Sequence, residues 1–151
     1  MENNLEKMID GLDQAIKMEK TLQDYYKRAE RASDDPDVRA AMHMLEDRHL
    51  SIVGRMRRRV EELERENGEG ALGDAFQALG RAISDAVAGL PVGFIRTETD
   101  PSVRFLLEHE EQLLKQYNEL RGIVDADTAH LVDAAAGNVR ENIERLQAMV
   151  G

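Results

Sequence analysis

Apolar residues in this chain recur at the spacing of an α-helix over segments far longer than ordinary strands. In the first segment they fall at Leu5, Ile9, Leu12, Ile16, Leu22, Tyr26 and Ala29. Steps of three, four or six residues keep one face of a helix apolar and leave the other polar. The pattern stops at Ser33-Asp34-Asp35-Pro36. There Asp35 reads as a helix N-cap and Pro36 as a first helical residue, where its missing N–H costs nothing. A second stripe, Val38, Met42, Leu45, His49, Ile52, Met56 and Leu63, runs to the breaker Asn67-Gly68-Glu69-Gly70. A shorter helix is expected from Leu72 to Ala88, followed by the irregular stretch Gly89 to Thr99. Asp100-Pro101 reads as the cap and start of a helix reaching Ile123, and a last helix follows Asp125-Ala126-Asp127-Thr128 to Met149. The plan is all-α: one domain over residues 1–151, with two antiparallel helical hairpins joined by a long crossover containing a short helix. Two hairpins joined by one long crossover are one of the ways in which a four-helix bundle is connected, and other all-helical layouts share the same elements.

Composition narrows the chemistry. Aromatics are 4% of the chain, so Leu, Ala, Met and Val must fill the core, with methionines such as Met42 and Met56 as filler. A formal net charge of −10 repels phosphates, so no nucleic-acid partner is expected. The basic run Arg55-Met56-Arg57-Arg58-Arg59 is followed by Glu61, Glu62, Glu64 and Glu66, which sit at helical pairing distance. There is no cysteine, which excludes disulfides and iron–sulfur clusters and leaves carboxylate, imidazole or water to hold any metal. No haem or flavin is expected. The polar N-terminal residues show no signal peptide, and no apolar run approaches the roughly 20 residues that cross a bilayer, so a cytoplasmic location without membrane contact is expected. Leu90, Val92, Phe94 and Ile95 are too apolar for a free loop. They are expected to be buried over the bundle end or in a homodimer contact.

Three polar residues interrupt the apolar stripes at similar heights: Glu19, His49 and Glu110. Glu46 precedes His49 by three residues, the spacing at which a carboxylate and an imidazole on one helix grip one ion. A buried carboxylate is costly unless it is paired or bound to a cation. The residues therefore read in two ways. They form a metal site, for which oxygen donors plus one imidazole suit iron or manganese, or they are edge-of-stripe and core groups that pair with one another. Tyr26 and Tyr117 read as packing residues with bonded hydroxyls. His43, His109 and His130 show no convergent spacing and are expected to be exposed.

Glu19 and Tyr26 are seven residues apart, as are Glu110 and Tyr117, and Glu46-Asp47-Arg48-His49 stands on the second helix. On these motifs the chain resembles the ferritin-like superfamily. It looks most like the rubrerythrin pattern without a rubredoxin module, and is also similar to a small, uncharacterised bacterial ferritin-like family. The resemblance covers nearly the whole chain. It implies a metal centre of Glu19, Glu46, His49 and Glu110, a role in iron handling or oxidative stress, and an external reductant for any redox cycle. It also implies a second Glu-x-x-His on the last helix, where this chain has Val139 and Asn142. A complete family site holds two irons with six protein ligands, so the expected centre is an incomplete two-metal site. The alternative is a degenerate bundle without metal, acting as a structural or stress-associated interaction module. A third reading is a helical partner protein that docks through Leu90 to Ile95.

Overall fold

The computed structural model describes residues 4–66 and 101–150. It contains four long helices: α1 (Asn4–Ala32), α2 (Pro36–Glu66), α3 (Val103–Arg121) and α4 (Ala126–Val150). No strand occurs among the described residues. The expected crossover helix and the Leu90–Ile95 segment lie outside them.

The helix ends follow from local hydrogen bonding. The Asp35 carboxylate accepts the Asp37 N–H at 2.9 Å, and its carbonyl accepts the Arg39 N–H at 3.0 Å, so Pro36 opens α2 with its free donors satisfied. Asp125 does the same for α4: its carboxylate accepts the Thr128 N–H at 2.8 Å and its carbonyl the Ala129 N–H at 2.8 Å. The Thr128 bonds and the neighbouring Arg59 hold the Asp125 carboxyl below its ordinary range. The start of α3 differs from the sequence expectation. Its cap is Ser102, whose hydroxyl accepts the Phe105 N–H at 3.0 Å, and not Asp100. A serine hydroxyl reaches the third helical N–H as well as a carboxylate does, and here it lies immediately before the first helical turn.

α1 packs most extensively on α2, and α3 on α4; α1 also meets α3, and α2 meets α4, which closes a ring of four helices around one core. Leu12, Ile16, Leu22, Met42, Leu45, Met56, Leu106, Leu113, Val139 and Leu146 are buried there. Each large aliphatic side chain withdrawn from water stabilises the bundle by roughly 1.5–3 kcal/mol. Gly11 allows a close approach of α1 to α3, since a Cβ there would stand 2.5 Å from Leu120 Cδ1. From the basic run, Arg59 pairs with Glu62 at 2.9 Å, as its spacing predicts. It also reaches across to Thr128 Oγ1 at 2.9 Å and Asp125 at 3.4 Å, tying α2 to the start of α4. No described helix is long and apolar enough to cross a membrane.

Candidate functional site

Seven residues are just under two helical turns, so a Glu and the Tyr that follows it by seven share a helix face about 10.5 Å apart along the axis. α1 carries this pair as Glu19 and Tyr26, and α3 carries it as Glu110 and Tyr117. The two helices meet with Glu19 opposite Tyr117 and Tyr26 opposite Glu110. Each tyrosine therefore serves the carboxylate of the other helix. The Tyr26 hydroxyl donates to Glu110 Oε2 at 2.5 Å, and the Tyr117 hydroxyl donates to Glu19 Oε2. All four side chains are buried.

His49 of α2 lies between the two halves. Its Nδ1 is bonded to Glu19 Oε1, and its Nε2 to Glu110 Oε2 at 2.7 Å. Its ring stacks on Tyr26, with centroids 5.3 Å apart and planes 19° apart. The result is one chain of hydrogen bonds, from Tyr117 through Glu19, His49 and Glu110 to Tyr26. A carboxylate on each ring nitrogen calls for a proton on each. Burial alone pushes the imidazole pKa down, but Glu110 and Glu19 outweigh it and raise His49 from 6.5 to about 10. Burial, reinforced by the two carboxylates, also raises both tyrosines well above their ordinary value, so they stay protonated as donors. With His49 protonated and both glutamates ionised, the buried centre carries one net negative charge. Among the described residues, Glu110 Oε1 of this centre is buried without a hydrogen-bond partner.

α4 brings Asn142 to this level, where sequence phasing places it. Asn142 is buried, and its Nδ2 stands 3.5 Å from His49 Nε2, a contact rather than a bond once that nitrogen carries a proton for Glu110. Its carbonyl oxygen is turned away by Arg48, whose Nε donates to Asn142 Oδ1 at 2.9 Å. Arg48 Nη2 donates to Asn138 Oδ1 and Glu141 Oε2, both at 2.5 Å. Position 48 was not singled out in the sequence. Its signal was faint: an arginine beside the histidine, at the edge of the α2 stripe.

Two placements differ from the sequence expectations. Glu46 does not join Glu19, His49 and Glu110. Leu45 fills the inward position at that level of α2, and Glu46 is rotated about 100° from it, toward the end of α1. There its ion-pair partner among the described residues is His43, at 3.9 Å. His43 is exposed, as expected, yet it is not isolated: Glu30 and Asp47 also lie 3.5 Å from its ring nitrogens. His109 is buried rather than exposed. Its Nδ1 donates to the Phe105 carbonyl at 2.8 Å, and its ring packs against Phe105 and Tyr25. The i, i+4 spacing of Phe105 and His109 is the sequence trace of that contact. His130 is exposed.

The donors at the centre do not fit a two-metal site. Both nitrogens of His49 are occupied by different carboxylates on opposite ring edges. Glu46 is elsewhere. Asn142 presents its amide N–H2, and Arg48 adds a cation beside it. Among the described residues, the one group of three that places potential metal-ligand atoms within 4.8 Å of one another is Glu30, His43 and Glu46. Comparisons with protein-family models, curated proteins and solved structures found no match to this chain.

Proposed function

We propose that the chain is a ferritin-like bundle that keeps the carboxylate–histidine–tyrosine core as a metal-free clamp and works as a structural or interaction module. The observation that carries this reading is that both ring nitrogens of His49 are bonded, each to a glutamate of a different helix. A doubly protonated imidazolium links α1, α2 and α3 through charge-assisted bonds and has no lone pair for a metal. The ferritin-like layout is supported by the contacts: α1 meets α3, and α2 meets α4, in opposite chain senses. Arg48 reaches Asn138 to Asn142 while Arg59 reaches Asp125 and Thr128. The long segment between α2 and α3 is then the crossover. A homodimer through Leu90 to Ile95 is compatible with this role.

A second reading is favoured by Glu110 Oε1, a buried oxygen of the centre without a partner among the described residues. In it, Glu19, His49 and Glu110 hold one iron or manganese ion, which would offset the net negative charge of the core. His49 would then have to lose a ring proton and free one nitrogen. With its pKa raised to about 10, the proton competes with the ion at neutral pH and weakens binding there. Manganous titration of the full chain across neutral and alkaline pH separates the two. The clamp predicts no manganese binding that depends on Glu110. Binding abolished by Glu110→Gln and tightening about tenfold per pH unit would establish the second reading and overturn the first.

A further inference from the structure

We propose that Glu30, His43 and Glu46 form a binding site for one first-row divalent cation, such as zinc, at the base of the α1–α2 pair, with Asp47 orienting the imidazole. Glu30 stands in the last turn of α1, and His43 and Glu46 face it from α2, which begins only four residues after α1 ends. His43 and Glu46 are three residues apart, so one helix face presents both.

The distances carry the assignment. Two donors bound at about 2.0–2.2 Å to one tetrahedral ion stand about 3.4 Å apart. His43 Nδ1 lies 3.5 Å from Glu30 Oε2 and 3.9 Å from Glu46 Oε2. These separations are long for hydrogen bonds and close to those of co-ligands. At the bundle centre the relation is reversed: the 2.7 Å between His49 Nε2 and Glu110 is the length of a hydrogen bond and too short for two ligands of one ion.

The second ring nitrogen gives an independent indication. His43 Nε2 faces Asp47 Oδ2 at 3.5 Å. With an ion on Nδ1, the ring proton lies on Nε2, the side of Asp47. A carboxylate facing the far ring nitrogen is the arrangement that orients metal-binding histidines. Charge agrees. Among the described residues His43 is the sole ion-pair partner of Glu30, Glu46 and Asp47, with no lysine or arginine on any of them. His43 is 60% exposed, so an ion can enter from solvent and complete its shell with water. One imidazole with two carboxylates selects a first-row divalent ion over calcium or magnesium, which prefer all-oxygen sites.

The test is zinc titration of the full chain by calorimetry, for the wild type and for His43→Ala, Glu30→Gln, Asp47→Asn and Glu110→Gln. All but the last alter surface side chains and should leave the helical circular dichroism unchanged. One zinc ion per chain is expected. His43→Ala and Glu30→Gln should abolish saturable binding, Asp47→Asn should weaken it on the order of tenfold, and Glu110→Gln should leave it intact. Absence of saturable binding in the wild type, or binding that survives His43→Ala, overturns the proposal. Zinc lost on Glu110→Gln but kept on His43→Ala would place the ion at the centre, against both this site and the metal-free clamp.

Discussion

Raising the pH should dismantle the central clamp while the rest of the bundle is still in its stable range. His49 has a folded pKa of about 10 against an ordinary value of 6.5. Because the folded value is the higher one, its contribution is fully present below about pH 6.5 and is lost as pH rises toward 10. A shift of about 3.5 units at 1.36 kcal/mol per unit corresponds to on the order of 5 kcal/mol. That is a large part of the 5–15 kcal/mol that usually separates a folded domain from its unfolded chain. Within the window the loss should approach about 1.4 kcal/mol per pH unit. The assay is urea unfolding of the wild type and of His49→Gln at several pH values between about 6 and 9, followed by helical circular dichroism. Titrations common to both proteins cancel in the difference. The m-value should stay constant, so that midpoint changes report stability alone. The clamp predicts that the wild-type advantage shrinks steadily above about pH 6.5. A pH-independent difference between the two proteins would refute it.

Other perturbations test the same network from its ends. Tyr26→Phe and Tyr117→Phe each remove one donor from a buried carboxylate, and each should cost about 1.5–3 kcal/mol in urea unfolding; a loss from only one of them would contradict the paired arrangement. Glu110→Gln takes one carboxylate from a buried imidazolium and should cost about 3–5 kcal/mol, whereas Glu46→Gln should change stability by under about 0.5 kcal/mol; equal losses would return Glu46 to the centre. Asp125→Ala removes the α4 cap and a contact of Arg59 and should cost about 1–2 kcal/mol, and this advantage of the wild type should fade as acid protonates the carboxylate.

Much of the architecture was legible because helical periodicity and capping are local. The stripes Leu5 to Ala29 and Val38 to Leu63 and the Asp35-Pro36 start are read within a few residues of themselves, and the described helices follow them. Glu19, His49, Glu110 and Asn142 were legible as candidates, since each falls in phase with an apolar stripe, while the stripe alone left an edge position open; all four are buried. What periodicity could not supply was the choice between neighbours. Glu46 lies 60° from His49 on the helical wheel, close enough to share its face on paper. Leu45 occupies the inward slot at that level, and His43 offers Glu46 a partner at the rim. That outcome depends on where α1 ends relative to α2, which the sequence of α2 alone does not encode. Arg48 was missed for a similar reason: its partners, Asn138, Glu141 and Asn142, are some 90 residues away in the chain. His109 was misread because a histidine between charged neighbours looks solvated, while its ring in fact fills an aromatic gap between Phe105 and Tyr25.

The protonation state of His49 tests the metal-free clamp most directly, and nitrogen-15 NMR of the imidazole rings reads it without a mutation. At about pH 8, midway between the ordinary and the raised value, His49 should be an imidazolium with protons on both ring nitrogens, bonded to Glu19 and Glu110. It should titrate only near pH 10. A His49 signal that titrates near pH 6.5, or that keeps one unprotonated nitrogen at about pH 8, would contradict the clamp and leave that nitrogen available to a metal.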